Sequence, residues 1–228
     1  MLFRSGAEKE RVLNVALDRL LMPASLSGKA PAKLENTFAM AGGELLYLGK
    51  ALQAVSIASG AQAVQLTAKG DAVVYQTADQ RLFRAEAKNP GVPQPLSGER
   101  NFASFTITPN GRSVYFLTAE GQLFYLKGNK APVMLKEGVH QLALDSKDTT
   151  VFMLCDFDGE AGELFTAKNG GKPKKMEGVG DAYGLYKSDC GLLVATNYSV
   201  DKGTATLFYA TGGAALERVA YDVRVLAK

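Results

Sequence analysis

Residues 108–127 read TPNGRSVYFLTAEGQLFYLK, and residues 67–86 read TAKGDAVVYQTADQRLFRAE. The two stretches align without a gap at an offset of 41, with 7 of 20 positions identical. The identities include Gly70/Gly111, Val73/Val114, Thr77/Thr118, Leu82/Leu123 and Phe83/Phe124. A third copy opens at Asp145 (DSKDTTVFMLCDFDGEAGELFTAK) and keeps the frame through Cys155, then inserts four residues before Leu164-Phe165. A fourth, KSDCGLLVATNYSVDKGTATLFYA, carries Leu207-Phe208, so that the Leu-Phe pairs recur at offsets of 41, 41 and 43.

Each copy holds four short β-like runs divided by turn residues. In the second copy they are Phe102–Thr108, Ser113–Thr118, Gln122–Lys127 and Ala131–Lys136, designated A to D. The A–B turn carries Pro109-Asn110-Gly111, and Asn-Gly predicts a hairpin of type I′, whose central residues need φ > 0. The C–D turns are Asn89-Pro90-Gly91, Gly128-Asn129, Asn169-Gly170-Gly171 and Thr211-Gly212-Gly213. The B and C runs are apolar at neighbouring positions, as in Val114-Tyr115-Phe116-Leu117, the pattern of a strand buried on both faces. A period of ~40–45 residues with four strands per unit is the signature of a β-propeller. The expected fold is therefore all-β, with four complete blades at about 62–100, 101–139, 140–180 and 181–217.

The motif FASFTITPNGRSVYFLTAEGQLFYLK resembles the WD-like repeat of TolB-type bacterial propellers, with Asn110 in place of that repeat's usual Asp. Ala68-Lys69-Gly70 and Ser146-Lys147-Asp148 are degraded versions of the same turn. The resemblance covers roughly residues 60–222 and speaks to fold, not ligand. It implies a module of a larger envelope protein, with an extracytoplasmic setting. True WD repeats are not expected, since the chain has no Trp and only one His, His140.

The ends extend this pattern. Residues 44–58 predict two strands of a partial blade, and 218–226 one further A strand. Either that strand completes the N-terminal partial blade and closes a five-bladed ring, or the chain is an arc of a larger one. Residues 36–228 form the propeller, and 1–35 a helix and linker. The helix is predicted over Ala7–Leu21, where Val12, Leu13, Ala16, Leu17, Leu20 and Leu21 fall on one stripe, and Pro23 opens the linker. The opening Leu2-Phe3-Arg4-Ser5 can be encoded by a common sequencing-adapter string. It is read as an artefact ahead of a fragment whose true start, with any signal or membrane anchor, is missing.

Composition bounds the function. The chain has 228 residues, 46% hydrophobic and 21% charged, with a net charge of +3. These values are ordinary for a globular protein and give no reason to expect nucleic acid. No apolar run approaches the ~18 residues of a membrane helix.

The catalytic inventory is thin. No G-x-S-x-G elbow accompanies the single His140, which is read as a structural or rim residue. No phosphate-binding G-x-x-x-x-G-K-S/T loop is present, and the glycines at 178, 180 and 184 are turn residues. Cys155 falls at the end of one B run and Cys190 before the start of the next. Roughly 15 Å of strand separates those levels, against the ~7 Å that a disulfide allows, so two free buried thiols are expected. Asp156-Phe157-Asp158-Gly159-Glu160 begins like a calcium loop, but Ala161 and Ala167 stand where an EF-hand needs Gly and Glu, so it reads as a solvated acidic hairpin. Asn197-Tyr198-Ser199 matches a glycosylation sequon. No cofactor and no metal are expected.

In a four-strand meander, successive connections alternate between the two ends of the strands. The A–B and C–D turns collect eleven basic against four acidic residues, net +7; the B–C and D–A connections collect four against eleven, net −7. The acidic end also carries the longest B–C loops, 156–163 and 197–203. Asp156, Phe157, Asp158, Glu160, Tyr198 and Asp201 are the candidate partner-binding residues, with Phe157 and Tyr198 as anchors. The reading is a non-enzymatic binding or scaffolding propeller for a protein or surface polymer. The alternative is an accessory propeller of a larger enzyme, such as a peptidase of the prolyl-oligopeptidase type. Catalysis in a central channel is disfavoured because Phe102–Thr108 and Leu142–Leu144 are mostly apolar or hydroxylic.

Overall fold

The structure is a computed structural model and describes residues 2–5, 9–12, 16–22, 34–96, 102–108, 111–128, 130–145, 149–188, 191–212 and 215–224. The chain parts into two compact units, Met1–Phe102 and Ala103–Lys228. The fold is a β-propeller built of five four-stranded antiparallel sheets. Within the first unit, β1 (Leu2–Ser5) and β2 (Lys9–Val12) pair as a two-stranded sheet. The first blade is β3 (Arg19–Leu21), β4 (Thr37–Ala41), β5 (Glu44–Leu48) and β6 (Ala54–Ser59). The second is β7 (Ala63–Leu66), β8 (Ala72–Gln76), β9 (Leu82–Glu86) and β10 (Gln94–Pro95).

The second unit holds three blades. They are β11 (Phe102–Ile107), β12 (Ser113–Thr118), β13 (Leu123–Lys127) and β14 (Val133–Lys136); β15 (Val139–Leu144), β16 (Thr150–Cys155), β17 (Glu163–Lys168) and β18 (Lys174–Lys175); and β19 (Ala182–Ser188), β20 (Gly191–Ser199), β21 (Thr204–Gly212) and β22 (Ala215–Arg224). In every blade the strands lie side by side in chain order. The third blade follows the A–D runs of the second sequence repeat almost residue for residue.

The apolar runs explain the packing. Every residue of β8, β12 and β16 is buried. Within each unit the core lies between blades rather than inside one. Tyr115, Leu123 and Tyr125 pack with Val139, Val151 and Met153, and Phe152 and Leu164 pack with Leu185, Leu192 and Val194. The Leu-Phe repeat has a structural meaning: Phe83 stacks on Tyr75 and Phe124 on Phe116, each across the B–C ladder at equivalent positions. The A–B turn differs from a type I′ hairpin. The Gly111 amide donates to the Thr108 carbonyl at 2.7 Å, so Gly111, with φ +66°, stands fourth in its turn. The Thr108 amide donates to the Ser113 carbonyl at 2.9 Å, so four residues, 109–112, connect the strands in place of the two of a type I′ hairpin. Asn110 lies outside the described residues.

The N-terminal helix expected over Ala7–Leu21 is not formed, and among the described residues there is no α-helix. Lys9–Val12 and Arg19–Leu21 are strands instead. The buried strand β4 needs hydrogen-bond partners on both sides, and β3 supplies one of them through Arg19↔Met40, Leu20↔Ala39 and Leu21↔Phe38. Leu17 and Leu20, two residues of the expected helical stripe, pack on Ala39 and Leu48 of the sheet instead. Tertiary pairing outweighs a helical period of this length. It follows that 44–58 is not a partial blade but the third and fourth strands of a complete one. The strand expected at 218–226 is not the start of another blade. Its described part, 218–224, belongs to β22, which pairs with β21 as the outer strand of the last blade, because a short hairpin costs less closure entropy than a distant partner.

Candidate functional site

The ends of the strands sort the charges of the second unit. Its B–C and D–A connections hold Glu120, Glu137, Asp156, Asp158, Glu160, Glu177, Asp181 and Asp201, with Lys202 the only basic residue among them. At the opposite ends the described turn residues include Arg112, Lys130 and Lys172, and the only acid among them is the buried Asp145. The register of β16 on β17 runs from Thr150↔Lys168 to Cys155↔Glu163, so roughly 17 Å of strand separates Asp158 from Lys172. Two lysines on the strand ends of the acidic side are engaged. Lys175 pairs with Glu163 at 2.7 Å, which raises its pKa. Lys136 places its Nζ 3.9 Å from Asp156 and 4.8 Å from the centre of the Phe165 ring.

Four aromatic side chains line up at this acidic end. His140 and Phe157 have ring centroids 4.8 Å apart, Phe157 and Tyr183 6.0 Å, and Tyr183 and Tyr198 4.0 Å. The last pair is stacked, 17° from parallel. The row crosses two blades, with His140 and Tyr183 at the starts of A strands, Tyr198 at the far end of a B strand and Phe157 in the loop just beyond one. His140 is exposed, and the other three rings are half-buried.

Local irregularities of the ladders aim these side chains. The β15–β16 register jumps between Val139 and Gln141, and the β19–β20 register between Ala182 and Gly184. His140 and Tyr183 are therefore the extra residues of two β-bulges in equivalent places. A third shift, between Thr196 and Ser199, contains Asn197 and Tyr198. Asp156 and Asn197, which precede Phe157 and Tyr198, both adopt positive φ, +50° and +51°. Bulges re-aim side chains in this way, commonly beside binding sites.

The loop that carries Phe157 is stitched down on both sides. Asp158 Oδ1 accepts hydrogen bonds from the amides of Ala161 at 2.8 Å and Glu160 at 2.9 Å, which hold its carboxyl below the usual carboxylate range. Gly162 and Ala182 exchange two backbone hydrogen bonds, of 2.8 and 2.9 Å, tying this loop to the next blade beside Tyr183. The Asp156 amide donates to the Gly138 carbonyl at 2.8 Å, and the Asn197 amide to Asp181 at 2.8 Å. Burial raises the pKa of Tyr183, and the neighbouring Tyr198 raises it further.

The structure thus brings Asp156, Phe157, Asp158, Glu160, Tyr198 and Asp201 to one end of two adjacent blades. It divides their roles. Phe157 and Tyr198 belong to the aromatic row, Asp158 is engaged by its own loop, and Asp156, Glu160 and Asp201 are exposed. Tyr183, the centre of the row, is not singled out by the sequence reading, and His140 is read there only as a rim residue. The signal lay in the repeat: His140 and Tyr183 are 43 residues apart, Phe157 and Tyr198 41. Cys155 ends β16 as a free, buried thiol, whereas Cys190 lies outside the described residues. Among the described residues, no three His, Cys, Asp or Glu side chains are grouped to hold a metal ion.

No protein-family model and no curated protein matches the chain. Solved structures do. A eukaryotic initiation factor superposes with a TM-score of 0.53 at 13% identity, over 87% of this chain and 54% of that one. The dihydro-heme d1 dehydrogenase NirN superposes with a TM-score of 0.50 at 14% identity, over 78% and 44%. A protein described as TolB, from Agrobacterium tumefaciens, gives 0.47 at 13% identity, over 74% and 65%. The first two establish the propeller fold and nothing finer at this identity. The chain spans about half their length.

Proposed function

We propose that this propeller is a non-enzymatic binding module that docks a protein or surface polymer on the acidic end of its last two blades. The observation that carries the reading is the row His140, Phe157, Tyr183, Tyr198, accessible to solvent and set on bulged, hydrogen-bonded strand ends. Rigid, half-exposed aromatic rings give large contact area at low entropic cost, and they anchor interfaces for that reason. A surrounding field of one sign orients encounter with an oppositely charged partner.

Affinity electrophoresis tests it, with gels cast with basic, acidic and neutral polypeptides and with neutral and acidic polysaccharides. At least one polymer is expected to retard the protein, and a Phe157→Ser, Tyr183→Ser, Tyr198→Ser variant that melts like the parent is expected to run free. Retardation that persists in the variant, or no retardation by any polymer, would overturn the proposal.

A further inference from the structure

Resting on that docking reading, we infer that the segment received by the row is an extended basic peptide, whose arginine or lysine side chains lie over Tyr183, Tyr198 and Phe157 while nearby carboxylates pair with their charge. Three observations converge on a cationic occupant. The first is charge: eight acidic residues stand against Lys202 in the connections of this end of the second unit. The second is placement. Asp156 directly precedes Phe157, Asp181 lies two residues before Tyr183, and Asp201 three residues after Tyr198. All three acids are exposed; Asp156 lies 3.9 Å from the Lys136 ammonium, and Asp181 is close enough to Lys175 to contribute to its raised pKa.

The third observation is that the protein already holds one cation in this manner at the same end. The Lys136 ammonium sits 4.8 Å above the Phe165 ring and 3.9 Å from the Asp156 carboxylate, held between an aromatic face and an acid. Tyr183 and Tyr198 stack on each other one blade further on, with Asp181 and Asp201 close to them in sequence. Ring faces attract cations electrostatically, and a guanidinium adds planar stacking and a fork that matches a carboxylate. A neutral glycan would use the rings but leave the net acidic field around them unanswered. An acidic polymer would be repelled by that field.

Binding of a short fluorescein-tagged peptide of alternating arginine and serine, followed by fluorescence anisotropy, tests the inference. The same peptide with citrulline in place of arginine keeps the planar group and loses the charge. The citrulline peptide is expected to bind at least about tenfold more weakly. A Tyr183→Leu, Tyr198→Leu variant is expected to lose a similar factor for the arginine peptide. Asp181→Asn with Asp201→Asn, on exposed positions that do not carry the fold, is expected to weaken binding and flatten its dependence on salt. Equal binding of the citrulline peptide, or arginine-peptide binding indifferent to both variants, would overturn the inference. If a neutral chitin oligomer binds through Tyr183 and Tyr198 while the arginine peptide does not, the docking row stands and the basic-peptide inference fails.

Discussion

Tyr183 and Tyr198 stack with ring centroids 4.0 Å apart, and each stands where its β-ladder skips a residue. In a regular ladder, side chains alternate strictly between the two faces of a blade and disappear between blades. The extra residue of a bulge escapes that alternation. The row at the acidic end is thus a product of ladder irregularity in the last two blades, with the loop residue Phe157 bridging them.

The pair makes an ionisation prediction. Burial first, and Tyr198 second, raise the pKa of Tyr183 above that of an ordinary tyrosine. In a Tyr198→Phe variant, Tyr183 is expected to ionise at lower pH than in the parent, while staying above the ordinary range because burial persists. Carbon-13 tyrosine NMR across alkaline pH measures it. An unchanged Tyr183 would mean that the two phenols do not interact.

Alkaline stability follows from the blade cores. Burial pushes Tyr75 up to about 12 from 10.0 and the Cys155 thiol up to about 12 from 9.0. Both groups prefer their protonated forms in the folded state. Their contribution is complete below the unfolded pKa values and fades as pH rises toward about 12. Urea stability is expected to be flat near neutral pH and to fall from about pH 9 upward. Cys155→Ala should delay the onset of that fall, whatever it does to stability at pH 7.

Cys155 is fully buried. Its thiol is expected to resist Ellman's reagent in the native protein, both by inaccessibility and because so little thiolate exists at neutral pH. Denaturation without reductant should expose two thiols per chain, counting Cys190. One reacting thiol or none in the denatured protein would mean that a cysteine is covalently engaged.

Gly162 tests the tie between the last two blades. A Cβ there would meet the Cys155 carbonyl oxygen at 2.7 Å and Leu154 Cδ1 at 2.9 Å, and the first of these is backbone that cannot swing aside. Gly162→Ala is expected to cost about 1–3 kcal/mol in urea denaturation. It should also pull Phe157 from Tyr183, seen as a loss of ring-current shifts on Tyr183 in NMR. A variant as stable as the parent would show that the Gly162–Ala182 bridge is dispensable.

Asp158 holds the loop under Phe157. Asp158→Ala removes the acceptor for the Glu160 and Ala161 amides, and their hydrogen exchange is expected to quicken by about tenfold or more. Asp158→Asn keeps an acceptor oxygen and should restore most of the protection. The parent loop is expected to stay closed at neutral pH and to loosen in acid. The lowered carboxyl stabilises the fold above its unfolded pKa, and that stability is lost as pH falls through the folded value. Equal exchange in the alanine variant would remove Asp158 from this role.

The blades of the repeat are legible in the residues alone. A gapless offset of 41, turn residues at fixed places and B strands apolar at neighbouring positions leave few alternatives, because each such strand must be covered on both faces. The meander also assigns each connection to an end, but Lys174 and Lys175, counted among the eleven basic turn residues, lie in β18, where Lys175 pairs with Glu163 at 2.7 Å on the acidic side. The features that local sequence leaves open are those in which pairing is non-local. Arg19–Leu21 became a strand because β4 needed a partner, and no property of those three residues compels it. The outer place of β22 was decided by hairpin closure onto β21, although its alternation alone is compatible with any strand of a blade. The aromatic row was decided in the same way. His140, Phe157, Tyr183 and Tyr198 are scattered over 59 sequence positions. Their meeting depends on three register shifts and on the Gly162–Ala182 bridge, and register belongs to pairs of strands rather than to either strand alone.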